Sequence, residues 1–237
     1  ATFNRMHVDI DGDASDVVDP TTPTTFQSDA AGNLTIDHNY YTDIQVTSTD
    51  PQVITYTINP KAVWSDGTPI TWEDLASEAK AMVGEGYSVN AVQGWDRVEK
   101  VERGVDDRQA VVTFKQHYAE WQGLFGTLLP KAVTATADAF NNSLRDTAPM
   151  SGGPFMITNI DKAQNRITLG RNPKWWGPTP KLDTIIFSVL DHSAWVPAVQ
   201  NNEIDTISVS SLDDIKAVKG TPGVIVRRSP SPALSHV

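Results

Sequence analysis

The chain has no cysteine at all. Disulfides, thiol catalysis and cysteine-based zinc sites are therefore excluded, and a fold must be held by packing and hydrogen bonds alone. It also has no apolar run long enough to span a bilayer and no signal peptide. If the protein is exported, its leader lies upstream of Ala1. Basic residues are in deficit: 19 Lys and Arg against 29 Asp and Glu, a formal charge of −10. A surface of that sign repels nucleic acid, and no Lys/Arg run overrides the average. The acidity is read first as solubility. The five histidines are scattered and form no H-E-x-x-H pair.

What is present is an ordinary soluble composition, 39% hydrophobic and 20% charged over 237 residues. That length allows one large domain or two small ones and a substantial core without staples. The most informative stretch runs from Pro51 to Leu75. Val53–Ile58 alternates as a strand, with Ile54, Tyr56 and Ile58 on one face and Thr55 and Thr57 on the other. Asp66-Gly67 supplies a turn. Thr71 with Asp74 three residues on reads as a capping box, and Trp72, Leu75, Ala79 and Met82 follow at helical spacing. Gly84 and Gly86 end that helix.

Two hairpins follow, Val98–Arg103 with Gln109–Lys115, and Phe155–Ile160 with Arg166–Arg171. Between them, residues 118–146 read as mainly helical with a break at Pro130. Residues 1–30 read as loop with short extended pieces. From Leu182 onward the expected order is a buried strand at Thr184–Leu190, a helix at Ser193–Asn201 with Pro197 in its first turn, a strand at Ile204–Val209, a helix at Leu212–Val218, and a strand at Val224–Arg227. Strand and helix alternating this closely is an α/β pattern. The chain then runs out through a Ser-Pro-Ser-Pro tail with no closing element, as a fragment of something longer would.

Each candidate for chemistry has a plainer reading beside it. Ser77-Glu78-Ala79-Lys80 matches an S-x-x-K element, but its companion motifs are missing, and Lys80 reads as a solvated helix face. Asp9, Asp11 and Asp13 begin like a calcium loop, yet the required Gly and Glu positions hold Ala14 and Pro20. Gly84-Glu85-Gly86 lacks the third glycine and the leading strand of a dinucleotide fingerprint. Asn33-Leu34-Thr35 and Asn141-Asn142-Ser143 fit the glycosylation sequon, a common pattern. Pairs such as Glu73-Asp74, Asp106-Asp107 and Asp213-Asp214 are explained by caps and turns. No nucleophile, base and orienting group stand together, so no catalytic residue, metal site or cofactor is assigned. The seven tryptophans are the notable enrichment. Trp64 and Trp72 sit in patterns that favour core; for Trp95, between Gly94 and Asp96, core and cleft wall are balanced.

Five separated pieces resemble, in order, the peptide-type (family 5) extracytoplasmic solute-binding proteins of ABC transporters. They are Asp50-Pro51-Gln52 through Tyr56-Thr57-Ile58 into Trp64-Ser65-Asp66-Gly67-Thr68-Pro69-Ile70-Thr71; Gly153-Pro154-Phe155; Arg171-Asn172-Pro173-Lys174-Trp175-Trp176-Gly177 with Lys181-Leu182-Asp183; Asn202-Glu203-Ile204-Asp205; and Thr221-Pro222-Gly223-Val224. The resemblance implies a mixed α/β and α+β fold, a periplasmic-binding-protein-like lobe I with an inserted antiparallel subdomain, and a second lobe absent from this chain. In that division, residues 1–45 and 178–237 form the α/β core of lobe I and residues 46–177 the subdomain. The implied activity is non-covalent capture of a peptide or other small solute between closing lobes. Delivery to a membrane ABC permease follows, by a monomeric protein outside the cytoplasm, lipid-anchored through an N-terminal segment upstream of Ala1. An alternative keeps the scaffold without import, binding a mannosylated lipid or regulating cell-envelope glycolipid synthesis. Phe26, Trp95, Ser151, Gly152 and Gly153, in loops beside expected strands, are the candidate ligand contacts.

Overall fold

The computed structural model describes residues 2–29, 31–209 and 211–227. Within them the elements run as follows: α1 Gly12–Val18, β1 Phe26–Ser28, β2 Leu34–Ile36, β3 Tyr41–Thr49, β4 Gln52–Ile58, α2 Trp72–Met82, β5 Val98–Arg103, β6 Gln109–Phe114, α3 Lys131–Thr134, α4 Ala137–Asn142, β7 Phe155–Asp161, β8 Arg166–Arg171, β9 Thr184–Ser188, α5 His192–Gln200 and α6 Leu212–Val218. Three antiparallel sheets result: β1-β2, a four-stranded sheet in the order β3-β4-β6-β5, and a three-stranded sheet β7-β8-β9.

The four-stranded sheet carries the main core. On β4 the alternation resolves as expected: Ile54, Tyr56 and Ile58 are buried, and Thr55 and Thr57 lie on the half-exposed face. Beside them on the inner face stand Tyr41 and Ile44 of β3 and Ala110, Val112 and Phe114 of β6. Helix α2 contributes Leu75, Ala79 and Met82 to the same core. Its start is set by Asp74, whose Oδ2 accepts the Thr71 amide at 2.8 Å. Trp64 is buried, and Trp72 is half-buried against the core. Arg108 secures the connection from β4 to α2, its Nη1 donating to the carbonyls of Ala62 at 2.6 Å and Ile70 at 2.8 Å.

Several expectations are corrected. Strand β3, unforeseen, pairs along the whole of β4. The acidic run near the start is not loop: Asp11 caps α1 by accepting the Asp13 amide, which is the role its carboxylate plays there. Residues 118–146 are mostly loop, with a 3-10 turn at Trp121–Gly123 and the short α3 and α4. That segment folds back over the core, burying Leu124, Phe125, Leu128, Leu129, Val133 and Phe140, so its apolar spacing reports contacts and not helical turns.

The end of the chain differs most. β9 is not a buried strand: it lies at the edge of its sheet with Ile186 58% exposed. Ile204–Val209 and Val224–Arg227, expected as strands, have no strand pairing. A strand exists only through its ladder, and no described residue lies alongside to complete one. Pro197 stands inside α5 and not in its first turn. Asn201 then closes the helix, its amide reaching the Pro197 carbonyl. The Ser-Pro-Ser-Pro tail lies outside the described residues.

Candidate functional site

A concavity of about 320 Å3 opens where three segments meet: the start of the chain, the loop after α2, and the loop before α3. Backbone hydrogen bonds bring the first two together. The Val8 amide donates to Ser88 O at 2.8 Å, the Asn90 amide to Met6 O at 2.8 Å, and Asn90 Nδ2 to Arg5 O at 3.0 Å. The third segment supplies Gly123, Phe125, Gly126 and Thr127.

Trp95 forms part of the wall. Its placement depends on Gly94, whose φ of 84° is one that side chains disfavour and whose added Cβ would meet Tyr118 at 2.6 Å. The indole packs edge-on against Phe125, which packs in turn against Tyr56 of β4. Phe125 itself holds a φ of 57°, an uncommon conformation for a bulky residue. The concavity is thus joined to the sheet through one aromatic row.

The lining mixes apolar surface from Met6, Met82 and Trp95 with the Asn90 amide, the Thr127 hydroxyl and exposed backbone at Gly123 and Gly126. Arg5 adds a cation, half-buried and paired with Asp19. Burial pulls its guanidinium below the usual value while Asp16 opposes the shift. Such a surface can hold a polar backbone and an apolar side chain together. Among the described residues no group of three His, Cys, Asp or Glu could hold a metal ion.

The other sequence candidates lie elsewhere. Phe26, half-buried, sits on β1 with its ring edge-on to Trp121, centroids 5.8 Å apart. Ser151, Gly152 and Gly153 form a buried junction. The Ser151 hydroxyl donates to Phe155 O at 2.6 Å and accepts the Gly153 amide at 3.0 Å. Gly152 and Gly153 both donate to Thr21 O. A Cβ on Gly153 would come within 2.3 Å of Pro20 O, so the close approach requires glycine. Of the five sequence candidates, Trp95 alone lines this concavity, together with Arg5, Asn90 and Thr127, which no sequence motif singled out. No sequence signal marks those, because they meet only through long-range backbone pairing.

A second hollow, of about 400 Å3, is lined by Pro154, Phe155, Trp175, Pro178, Pro180, Lys181 and Leu182. Its Trp175 belongs to a packed aromatic group with Trp176 and Tyr40, and the Trp176 indole donates to Asn39 O at 2.7 Å. The tryptophan pair anchors the crossing segment after β8 to the segment before β3.

Residues 20–237 match the family described as bacterial extracellular solute-binding proteins, family 5 Middle, and the chain belongs to that family. It is 47% identical to the oligopeptide-binding protein OppA of Mycobacterium tuberculosis, over 99% of this chain and 41% of that protein. It is 28% identical to the probable monoacyl phosphatidylinositol tetramannoside-binding protein LpqW of the same organism, over 86% of this chain and 33% of that one. Among solved structures, the Bacillus subtilis oligopeptide-binding protein AppA in complex with a nonapeptide superposes with a TM-score of 0.81 at 19% identity, over 94% of this chain and 44% of AppA. The chain therefore spans about two-fifths of the length of the relatives it matches.

Proposed function

We propose that this chain is the first-lobe portion of an extracytoplasmic solute-binding protein that captures peptides for an ABC importer. The observation that carries the reading is the concavity at Trp95, where an apolar wall stands beside exposed backbone and the Asn90 amide. A peptide offers both chemistries at once: a polar main chain and side chains of varied size. The 47% identity to a protein named for oligopeptide binding points the same way.

In this reading the mechanism is capture by contact and closure, with no bond made or broken. The ligand lies against the Trp95 wall, and a second lobe closes over it. Closure removes water from both faces, and a single face holds a ligand weakly because it supplies only part of the contact. Phe26 and the Ser151–Gly153 junction then act in two ways: Phe26 extends the aromatic surface, and the junction holds the start of the chain against the β7 sheet. The division into an α/β core (1–45 and 178–237) and an antiparallel subdomain (46–177), the monomeric state, the lipid anchor and the permease partner belong to the same proposal. Among the described residues no helix is long and apolar enough to cross a membrane.

The likeness to LpqW favours a second reading, in which the same cleft takes a mannosylated lipid and no import follows. Native mass spectrometry of the product of the complete gene, purified without denaturation, separates the two. Co-purified masses matching short peptides support capture for import. A glycolipid mass, or no ligand and no response to a peptide library, overturns it in favour of the second reading.

A further inference from the structure

Helix α2 buries two carboxylic acids under the segment that forms the outer wall of the concavity. Asp74 is 5% exposed and Glu78 is fully buried. Asp74 Oδ1 accepts the Lys131 amide at 2.8 Å, and Glu78 Oε2 accepts the Leu129 amide at 3.1 Å. These two bonds hold the far end of the segment from Trp121 to Lys131. Its nearer part supplies Gly123, Phe125, Gly126 and Thr127 to the site.

Glu78 has a second feature. Its Oε1 is buried without a hydrogen-bond partner, as are the hydroxyls of Tyr41 and Tyr56. The two tyrosine rings pack edge-on, 5.9 Å apart, on the face of the sheet that α2 covers. A buried carboxylate without a cation is costly, and protonation removes that charge. The charged groups around it offer no relief. Lys131 Nζ is taken by Glu73 at 3.1 Å, and Arg108 Nη1 by the Ala62 and Ile70 carbonyls. The Glu99, Lys100, Glu102 and Arg103 side chains of β5 are exposed, and so is Lys80 of α2 itself. Asp74 is the remaining neighbour, and it is of like charge.

We propose that Glu78 is a positioning residue for the ligand cleft. As a neutral acid buried under α2 it fixes the Leu129 amide, and through it the wall at Gly123–Thr127, so that ionising Glu78 loosens the wall. The cleft role rests on the reading of the concavity as the ligand site; the tether does not. Burial, with Asp74 beside it, pushes the Glu78 carboxyl well above the ordinary range, which agrees. Burial, with Tyr56 beside it, pushes the Tyr41 phenol up as well.

The test compares wild type with Glu78→Gln, which keeps the shape and cannot ionise. Amide hydrogen exchange at Leu129 and Lys131, corrected for intrinsic rates, is followed from mildly acid to mildly alkaline pH. In wild type, Leu129 protection falls by up to about tenfold per pH unit above the ordinary carboxyl range and levels off once Glu78 ionises in the folded protein; in Glu78→Gln it stays flat. Affinity for a short peptide, measured on the product of the complete gene, falls in parallel in wild type only. An infrared band of a protonated carboxyl, present at neutral pH and lost in Glu78→Gln, is the direct signature. Matching exchange profiles in the two proteins, or absence of that band, overturns the proposal even if peptide binds. Exchange as expected with no peptide bound by either protein overturns the cleft role together with the ligand reading.

Discussion

The indole of Trp95 meets the ring of Phe125 edge-on, with centroids 4.8 Å apart and planes at 83°. Phe125 in turn lies 5.4 Å from Tyr56, so a single aromatic row runs from the concavity to the central strand β4. Edge-on contacts of this kind add about 0.5–1.5 kcal/mol to the area they bury. Trp95→Ala removes the outer member and leaves a hole beside a residue in a strained conformation. We expect a loss of about 3–5 kcal/mol in chemical denaturation, as for large-to-small changes in cores generally. Trp95→Phe retains the edge contact and should lose less than half of that, while still weakening peptide binding. Equal destabilisation by the two variants would show that Trp95 does not act through the Phe125 contact.

Gly153 lies against the Pro20 carbonyl so closely that any Cβ must displace backbone. Gly153→Ala should cost about 1–3 kcal/mol, the usual range for overpacking. Ser151→Ala, a few bonds away, removes a buried hydroxyl that serves both the Phe155 carbonyl and the Gly153 amide. Its cost should be about 1–3 kcal/mol, because the Phe155 carbonyl loses this donor, while the Gly153 amide keeps only its bond to the Thr21 carbonyl. The two changes share one junction, so the double variant should lose less than the sum. Thermal unfolding of the four proteins decides it: strict additivity would mean that the junction is not a unit.

Arg108 closes the loop between β4 and α2 with one nitrogen on two carbonyls. Arg108→Met keeps the aliphatic stem and removes both charge-assisted bonds. We expect about 1.5–3 kcal/mol of destabilisation, the range for hydrogen bonds to a charged group. The Ile70 carbonyl loses the Arg108 donor and the Ala62 carbonyl keeps only the Ile70 amide, so exchange of the Thr71 amide at the helix start should quicken. Unchanged stability would place the anchoring of this loop elsewhere.

The legible parts of this fold are those whose cause is local. The alternation of Ile54, Tyr56 and Ile58, the Asp66-Gly67 turn, the α2 start at Asp74 and both hairpins all appear as read. The illegible parts depend on distant partners. Strand β3 was hidden because Tyr41–Thr49 mixes polar and apolar residues, and only Tyr41 and Ile44 turn inward. Residues 118–146 carry enough apolar side chains for helices but are spent in folding back over the core. Glu78 did have a signal. It stands three residues after Leu75 and four before Met82, on the apolar stripe of α2, where a carboxyl is out of place. Around the concavity, Trp95 stood out in the sequence as an aromatic without a period; Arg5, Asn90 and Thr127 did not, since only the folded chain brings them together.

The two buried acids of α2 also set how stability varies with pH. Burial raises both carboxyls above their ordinary values near 3.8 for Asp74 and 4.5 for Glu78. For Asp74, bonds from the Thr71 and Lys131 amides oppose that rise; for Glu78, the Leu129 amide does so. A raised acid binds its proton more tightly when folded than when unfolded. Its contribution is therefore complete below the unfolded value and is lost as pH rises through the folded one. Stability against denaturant should accordingly decline on the alkaline side of about pH 4.5 and level off once Glu78 ionises in the folded protein. Glu78→Gln removes the larger part of that decline and should be the more stable protein at alkaline pH. Asp74→Asn should behave otherwise. Both Asp74 oxygens accept backbone amides, so the variant loses an acceptor and is destabilised at every pH. An alkaline decline of the same size in wild type and Glu78→Gln would assign it to other groups and leave Glu78 without a stabilising proton.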